Sequence, residues 1–291
     1  VKILVTGATG QVGRFLLTGG ATPLTRQDID VSRLSDVDVV KHARRVVADA
    51  DVVVNCAAWT DVDGAEDPAN AETVNAVNAV APGVLAEIAD EAGASFIHVS
   101  TDYVFSGDPE VARRPWQVAD QVHPANEYGR TKALGEQGVL AAGGTVARTS
   151  WVWSGPHAPG RDFVTTMVGL AERGVDPTVV DDQVGRPTYA ADLAAGLLQL
   201  AQRQTEHQTA RPAVLHFQNS GEPVSWCGLA RAVFERTGHD PARVSPCSTA
   251  DWPTPAARPP WSILDLGSWE SAVGVLPPAW QDGLDRGLGI D

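Results

Sequence analysis

The stretch "KILVTGATGQVG", residues 2–13, constrains the fold more than any other part of the chain. A short apolar run suited to a buried strand enters a turn with glycines at 7, 10 and 13, then the helical pattern "QVGRFLL". Gly7, Gly10 and Gly13 let the backbone turn tightly and approach a ligand. Main-chain N–H groups and the positive helix end can then stabilise phosphate charge. Glycines also serve ordinary tight turns. The placement after a strand and before a helix favours a dinucleotide-binding unit.

The next segments repeat the alternation. "DVVVNCAA" (51–58) reads as a second clear strand, and residues 68–92 carry Val74, Val77, Val80, Val84, Leu85 and Ile88 at helical spacing. "SFIHVSTDYVF" (95–105) is a strand running into a loop, "YGRTKALGEQGVLAA" (128–142) a helix, and "TVARTSWVW" (145–153) a strand. A further strand at 22–25 and a helix near 36–48 complete an α/β pattern, a doubly wound parallel sheet with helices on both faces. The remainder predicts helices over 161–174, 191–204 and 225–238, a strand over 214–219, and a proline-rich loop over 245–265. The expected division is a dinucleotide-binding domain over 1–150, to which 178–212 returns, and a smaller substrate-binding lobe from 151–177 and 213–291.

Composition narrows the partners. With 36 acidic and 22 basic residues the chain carries a net charge of −14, which repels nucleic acid and anionic membranes. No apolar run reaches the roughly 20 residues of a membrane span, and "VKILVTG" does not read as a secretory signal. Cys56, Cys227 and Cys247 are odd in number and far apart, which suggests neither a disulfide framework nor a zinc site and points to a reducing cytoplasm. An anionic substrate then needs local positive groups.

Cofactor choice is read from the region some 20 residues beyond the glycine turn. "PLTRQDID" (23–30) places Thr25 and Arg26 where NAD-binding folds put an acid. Arg26 suits the extra phosphate of NADP, so NADP(H) is preferred. Asp28 or Asp30 could still serve NAD(H), and an exposed surface arginine is the plainer alternative.

The chain has only three lysines, Lys2, Lys41 and Lys132, and the last stands one helical turn after Tyr128. Reduction of a carbonyl by hydride needs a proton for the developing alkoxide, and a free phenol of pKa about 10 is a sluggish donor. An adjacent ammonium is expected to bring that value toward neutrality. "HVSTDYVF" places Ser100, Thr101 and Asp102 at the carboxyl end of a strand, where open parallel sheets bind ligands. Taken alone, Tyr128 reads as a half-buried helix residue; with the glycine turn and the strand end, the catalytic reading is stronger. His98 reads as a packed core residue and Cys56 as a small hydrophobe. Trp226, Trp252 and Trp261 read equally as a base-binding wall or as packing.

The motifs "GATGQVG", "NCAAWTDVDGAE", "STDYVF", "YGRTK", "RTSWV", "DDQVGRPT" and "ARPPWSILD" together resemble the extended short-chain dehydrogenase/reductases, and within them the dTDP-4-dehydrorhamnose reductase family. The resemblance implies a Rossmann fold and NAD(P)H-dependent reduction of the 4-keto group of a dTDP-6-deoxyhexose, for cell-wall or natural-product sugars. It implies Tyr128 as proton donor, Lys132 as its electrostatic partner, and Thr101 as a hydrogen-bonding group on the substrate oxygen. Asp102 would face the sugar and Trp151 would pack on it. Gly10, Gln11 and Val12 would touch the pyrophosphate, with Asp30, Val31, Ala58, Trp59 and Thr60 along the rest of the cofactor. Arg186 and Arg258 would hold the nucleotide diphosphate.

The segment between Gly13 and Asp30 is shorter than the family pattern, and the tail "WQDGLDRGLGID" does not match the acids with which some members bind magnesium, so no metal is expected. A homodimer is left open. Sister dehydratases have a glutamate after the aspartate; Tyr103 follows Asp102 here, which disfavours dehydration. A cofactor-binding regulatory subunit and a sugar-nucleotide epimerase are the competing readings.

Overall fold

The structure, a computed structural model, describes residues 1–108, 114–206 and 212–290. Its centre is a parallel sheet of six strands: β1 (Ile3–Thr6), β2 (Thr22–Leu24), β3 (Val52–Asn55), β4 (Ser95–Thr101), β5 (Thr145–Thr149) and β6 (Val214–His216), in the order β6-β5-β4-β3-β1-β2. From β1 the chain goes first to β2 on one side and then to β3 on the other. That reversal opens a crevice at the strands' carboxyl ends, where such sheets take ligands.

The strands form here because they can be buried on both faces. Along β3, Val52 and Val54 enter one core while Val53 enters the opposite one, and Ile3 and Val5 alternate with Leu4 in the same way along β1. On the first face, Leu16 of the helix Gln11–Thr18 and Leu193, Leu197 and Leu200 of the helix Ala190–Glu206 close the layer. On the other, Ala43 and Val47, Leu85 and Ile88, and Val139 come from helices Val37–Val47, Ala81–Glu91 and Glu127–Ala141. A separate core, with Trp153, Val164, Met167, Phe234, Trp280 and Leu284, joins helices Phe163–Glu172, Trp226–Arg236 and Trp280–Leu288. Among the described residues no helix is long and apolar enough to cross a membrane.

Three local differences from the sequence expectation matter. The strand over 145–153 is two pieces, Thr145–Thr149 and Val152–Trp153, interrupted by Trp151 at φ +49°. The helix over 68–92 holds one π turn, Ala76–Val80, between its α segments. The region 213–291, expected wholly in the lobe, gives β6 to the central sheet, and its helix Gly267–Val273 packs Trp269 edge-on to Phe217 at 4.7 Å. A parallel edge position beside β5 buries Leu215, which draws that short stretch into the sheet layer.

At the glycine turn, Gly7 has φ +67°, and a Cβ there would lie 2.6 Å from Ala57 N at the end of β3. A Cβ on Gly13 would lie 2.3 Å from Gly7 O and 2.7 Å from Ala8 Cα. Both positions are closed to any side chain by main chain, which cannot yield cheaply. Gly13→Ala is therefore expected to destabilise the fold by about 2–3 kcal/mol, read as a lower urea midpoint at unchanged m-value; a midpoint equal to the parent protein's contradicts this packing.

Candidate active site

The crevice is a cavity of about 860 Å³ lined from the glycine turn at one end to Trp226 at the other. Gly10 differs from its neighbours in the turn: among the described residues the only non-neighbouring atom within 4 Å of a Cβ there is Gly7 O, at 3.2 Å, and the residue faces the cavity. The helix Gln11–Thr18 that follows has no side-chain cap and no acidic residue in its first turn. Its leading N–H groups, which lack intrahelical acceptors, and its positive dipole end are left to a ligand. Gln11, Val12, Val31, Ala58 and Thr60 also line the cavity.

The catalytic candidates meet the glycine turn in this one space. Thr101, Asp102, Tyr128, Lys132 and Trp151 all line it. Asn126 caps the helix Glu127–Ala141 by accepting from Gly129 N, which starts the helix where Tyr128 and Lys132 both fall on the crevice side. That helix approaches its neighbour very closely; a Cβ on Gly135 would lie 2.2 Å from Asn78 O in the π turn. Asn78 in turn accepts from Trp59 N at 2.8 Å and donates to Trp59 O at 3.1 Å, so the π turn pins the cavity-edge loop at 58–60. Trp59 itself turns away, its indole donating to Asp61 O, and it does not line the cavity.

The electrostatics differ from the sequence expectation. Burial pushes the Tyr128 phenol up, against the pull of the Thr101 hydroxyl, and Lys132 is not among the charges acting on it. The Lys132 amine, only 2% exposed, donates to Val99 O at 2.8 Å and lies 3.1 Å from His98 Nε2. Burial brings it down to about 8, which Glu136 resists. At neutral pH the phenol is thus fully protonated, the form a proton donor requires. The ammonium does not bring it toward neutrality in the free protein: desolvation dominates, and the only opposing pull comes from the Thr101 hydroxyl.

Asp102 is buried as well. One oxygen accepts from the Thr101 hydroxyl at 3.2 Å, and Oδ2 has no hydrogen-bond partner among the described residues. Burial pushes its carboxyl up to about 6, opposed by Ser262 and Thr101. Burial likewise takes the neighbouring Tyr103 phenol up to about 12, and its ring meets Tyr128 edge-on at 5.5 Å. Below β4 lies a closed ion pair: Arg148 donates to Glu136 Oε2 at 2.7 Å, and Ser100 donates to Glu136 Oε1 at 2.6 Å.

Trp151 stacks on Trp226 with ring centroids 3.7 Å apart, and Phe163 leans on Trp226 at 4.6 Å. The left-handed backbone at Trp151, a conformation that costs a non-glycine residue about 1–3 kcal/mol, aims the indole across Gly185, where a Cβ would strike the ring at 2.6 Å. Of the tryptophans left open by the sequence, Trp226 forms cavity wall and Trp252 is 61% exposed. Sequence reading missed Thr9, Tyr103, Thr149, Arg161 and Phe163, which also line the cavity; Arg161 follows a glycine in an irregular loop and carried no periodic signal.

Five expected residues do not line the cavity: Arg26, Asp30, Trp59, Arg186 and Arg258. Arg26, its side chain 80% exposed, pairs with Asp30 at 3.1 Å. Asp30 also caps the turn at Val31–Arg33, which sets Val31 at the cavity. Arg186 donates to Gly221 O and Leu264 O. Arg258 pairs with Asp63 at 2.6 Å and acts on Tyr103, which places it just behind the wall.

The family model "RmlD substrate binding domain" matches residues 1–289. The chain belongs to the RmlD family. A dTDP-4-dehydrorhamnose reductase of Mycobacterium tuberculosis is 44% identical over 295 residues, covering 99% of this chain and 92% of that protein. A dTDP-4-keto-6-deoxy-D-glucose reductase of Streptomyces niveus is 37% identical, covering 94% and 91%. Among solved structures, the dTDP-4-dehydrorhamnose reductase of Bacillus anthracis in complex with NADP superposes with a TM-score of 0.84 at 30% identity, covering 98% of this chain and 97% of that one. RmlD relatives thus match along nearly the whole length, sheet and lobe together.

In this RmlD-family cavity the Asp102 carboxylate is the costly group. Its folded-state pKa lies above the ordinary 3.8, so the folded state binds the extra proton between about 4 and 6 and loses stability as pH rises through that window. Asp102→Asn is expected to raise unfolding free energy at pH 7.5 by about 1–3 kcal/mol, with the gain vanishing below pH ~4. Denaturant titrations at the two pH values check this; an equal effect at both would mean the carboxyl is not held above its usual range.

Proposed function

We propose that this chain is an NAD(P)H-dependent reductase acting on the 4-keto group of a dTDP-4-keto-6-deoxyhexose. The observation that carries the reading is the convergence of Thr101, Tyr128 and Lys132 with the glycine turn on one cavity. The relatives' names supply the substrate class, and the NADP of the Bacillus anthracis neighbour supports the cofactor.

The residues present fit a dinucleotide. Gly10 borders the cavity with no Cβ to stand in a ligand's way, and the uncapped helix behind it offers N–H groups to a pyrophosphate, with Gln11, Val12 and Gly13 alongside. Asp30, Val31, Ala58, Trp59 and Thr60 would flank the adenosine and ribose portions. Arg26 would exchange its Asp30 partner for the extra phosphate of NADP. When bound, the cofactor supplies hydride to the sugar's carbon 4.

Tyr128 then gives its phenolic proton to the developing alkoxide, with the Thr101 hydroxyl hydrogen-bonding the same oxygen. In the ligand-bound site a charged Lys132 would stabilise the phenolate left behind, an interaction not made in the free protein, and orient the cofactor ribose. Trp151, backed by Trp226, packs on the sugar, and Asp102 faces its hydroxyls. Arg186 and Arg258 would serve the diphosphate only after releasing their present acceptors, whereas Arg161 borders the cavity with no hydrogen bond or ion pair to a described residue.

The test is nicotinamide absorbance during incubation with NADPH and dTDP-4-keto-6-deoxyglucose. Tyr128→Phe is expected to lower kcat by about 10²–10⁴-fold with cofactor affinity retained; full turnover by that protein would end the proposal. Tight cofactor binding without oxidation would favour a regulatory subunit. Arg26→Ala is expected to raise KM for NADPH about tenfold with little change for NADH, and equal effects on both would remove Arg26 from cofactor selection.

A further inference from the structure

A buried line of hydrogen bonds runs behind the cavity from β1 to the helix carrying Tyr128. Thr6 Oγ1 donates to Asn55 Oδ1 at 2.6 Å, and the main-chain N–H of Ala57 donates to the same oxygen at 3.2 Å. A peptide N–H can only donate, so the orientation of the Asn55 amide is fixed. Its Nδ2 therefore faces His98 Nδ1, 3.0 Å away, as a donor. His98 Nδ1 must accept, which puts the ring's single proton on Nε2. That Nε2–H points at Lys132 Nζ, 3.1 Å away.

An ammonium has three donors and no acceptor. Facing Nε2–H it would set donor against donor inside a fully buried space. An uncharged amine satisfies every contact: its lone pair accepts from Nε2–H, one N–H donates to Val99 O at 2.8 Å, and the other remains for the cavity. We propose that His98 is the positioning residue that governs the charge on Lys132, opposing the ammonium through an Nε2–H that needs an unprotonated nitrogen to accept it.

The other groups around the amine do not reproduce this effect. Cys56, at the end of β3, is a thiol that burial pushes up to about 12, so it stays neutral. Glu136, on the same helix, favours the ammonium, but its carboxylate is occupied by Arg148 and Ser100. Tyr128, also on that helix, is protonated. The main-chain carbonyl of Asn55 favours a proton on the ring, yet the ring's hydrogen bonds among the described residues are to Asn55 Nδ2 and Lys132 Nζ. Burial and the Lys132 charge both hold His98 well below its ordinary value, so the ring itself stays neutral.

The catalytic consequence rests on the reductase reading: rate falls on the alkaline side as Lys132 loses the charge that stabilises a Tyr128 phenolate. The titration does not rest on it. With three lysines in the chain, lysine labelled with ¹³C at Cε gives a spectrum in which Lys132 is read directly, beside the exposed Lys2 and Lys41. The wild-type Lys132 signal is expected to titrate near pH 8. In Asn55→Asp, a side chain of the same shape, a carboxylate oxygen replaces the amide donor, the ring proton moves to Nδ1, and Nε2 becomes an acceptor for the ammonium. The midpoint should rise by about one pH unit or more. His98→Gln, whose carboxamide oxygen can accept from the ammonium without adding charge, should move it the same way. The alkaline limb of kcat/KM should follow the NMR midpoint in each folded protein. A Lys132 signal that stays in its ammonium position to pH 10, or a midpoint unmoved in either folded variant, overturns the proposal. An inactive protein with the expected titrations overturns the reductase reading alone.

Discussion

The contact between the ends of β1 and β3 is the constraint on which the remainder depends. Gly7 can lie against Cys56 and Ala57 only because it has no side chain, and Thr6 and Asn55 seal the same junction with a buried hydrogen bond. This junction holds the glycine turn open toward the cavity and fixes the Asn55 amide. Through Asn55 it reaches His98 on β4 and Lys132 on the helix. The glycine turn and the helix bearing Tyr128 and Lys132 are therefore joined by one buried line of contacts.

Burial decides the character of the site. Tyr128, Tyr103 and Asp102 are all pushed toward their neutral forms, and Lys132 is pushed the same way. On the proposed reading, the chemistry that follows is proton donation by a phenol that holds its proton firmly until charge develops on the substrate. On the same reading, Thr101 already favours the phenolate in the free protein, and Lys132 is called on to do so only once the ligands are in place.

The sequence was most legible where main-chain geometry leaves little choice. The glycines at 7 and 13 are dictated by backbone approach, and valines 52–54 by burial on two faces, so both could be read from residue type and spacing. Tyr128 and Lys132 were legible because a helix brings residues four apart to one side. The π turn at Ala76–Val80 was not, since one added residue leaves the apolar period almost unchanged. The direction of the Tyr128 displacement was hidden too, because it depends on desolvation by neighbours distant in sequence. Arg186 and Arg258 illustrate the same limit: arginine type is visible, but the carbonyls and the Asp63 carboxylate that occupy them come from distant segments. Trp226 needed its partner Trp151, 75 positions earlier, before stacking could identify it as wall.

The uncapped helix start beside Gly10 has a consequence for a chain this acidic. A grip made from peptide N–H groups has no titrating member and no counter-ion to surrender. On the proposed reading, its hold on a diphosphate should stay nearly constant across the pH range in which Asp102 and Lys132 nearby change state. On that reading, holding the reagent is separated from switching the reaction.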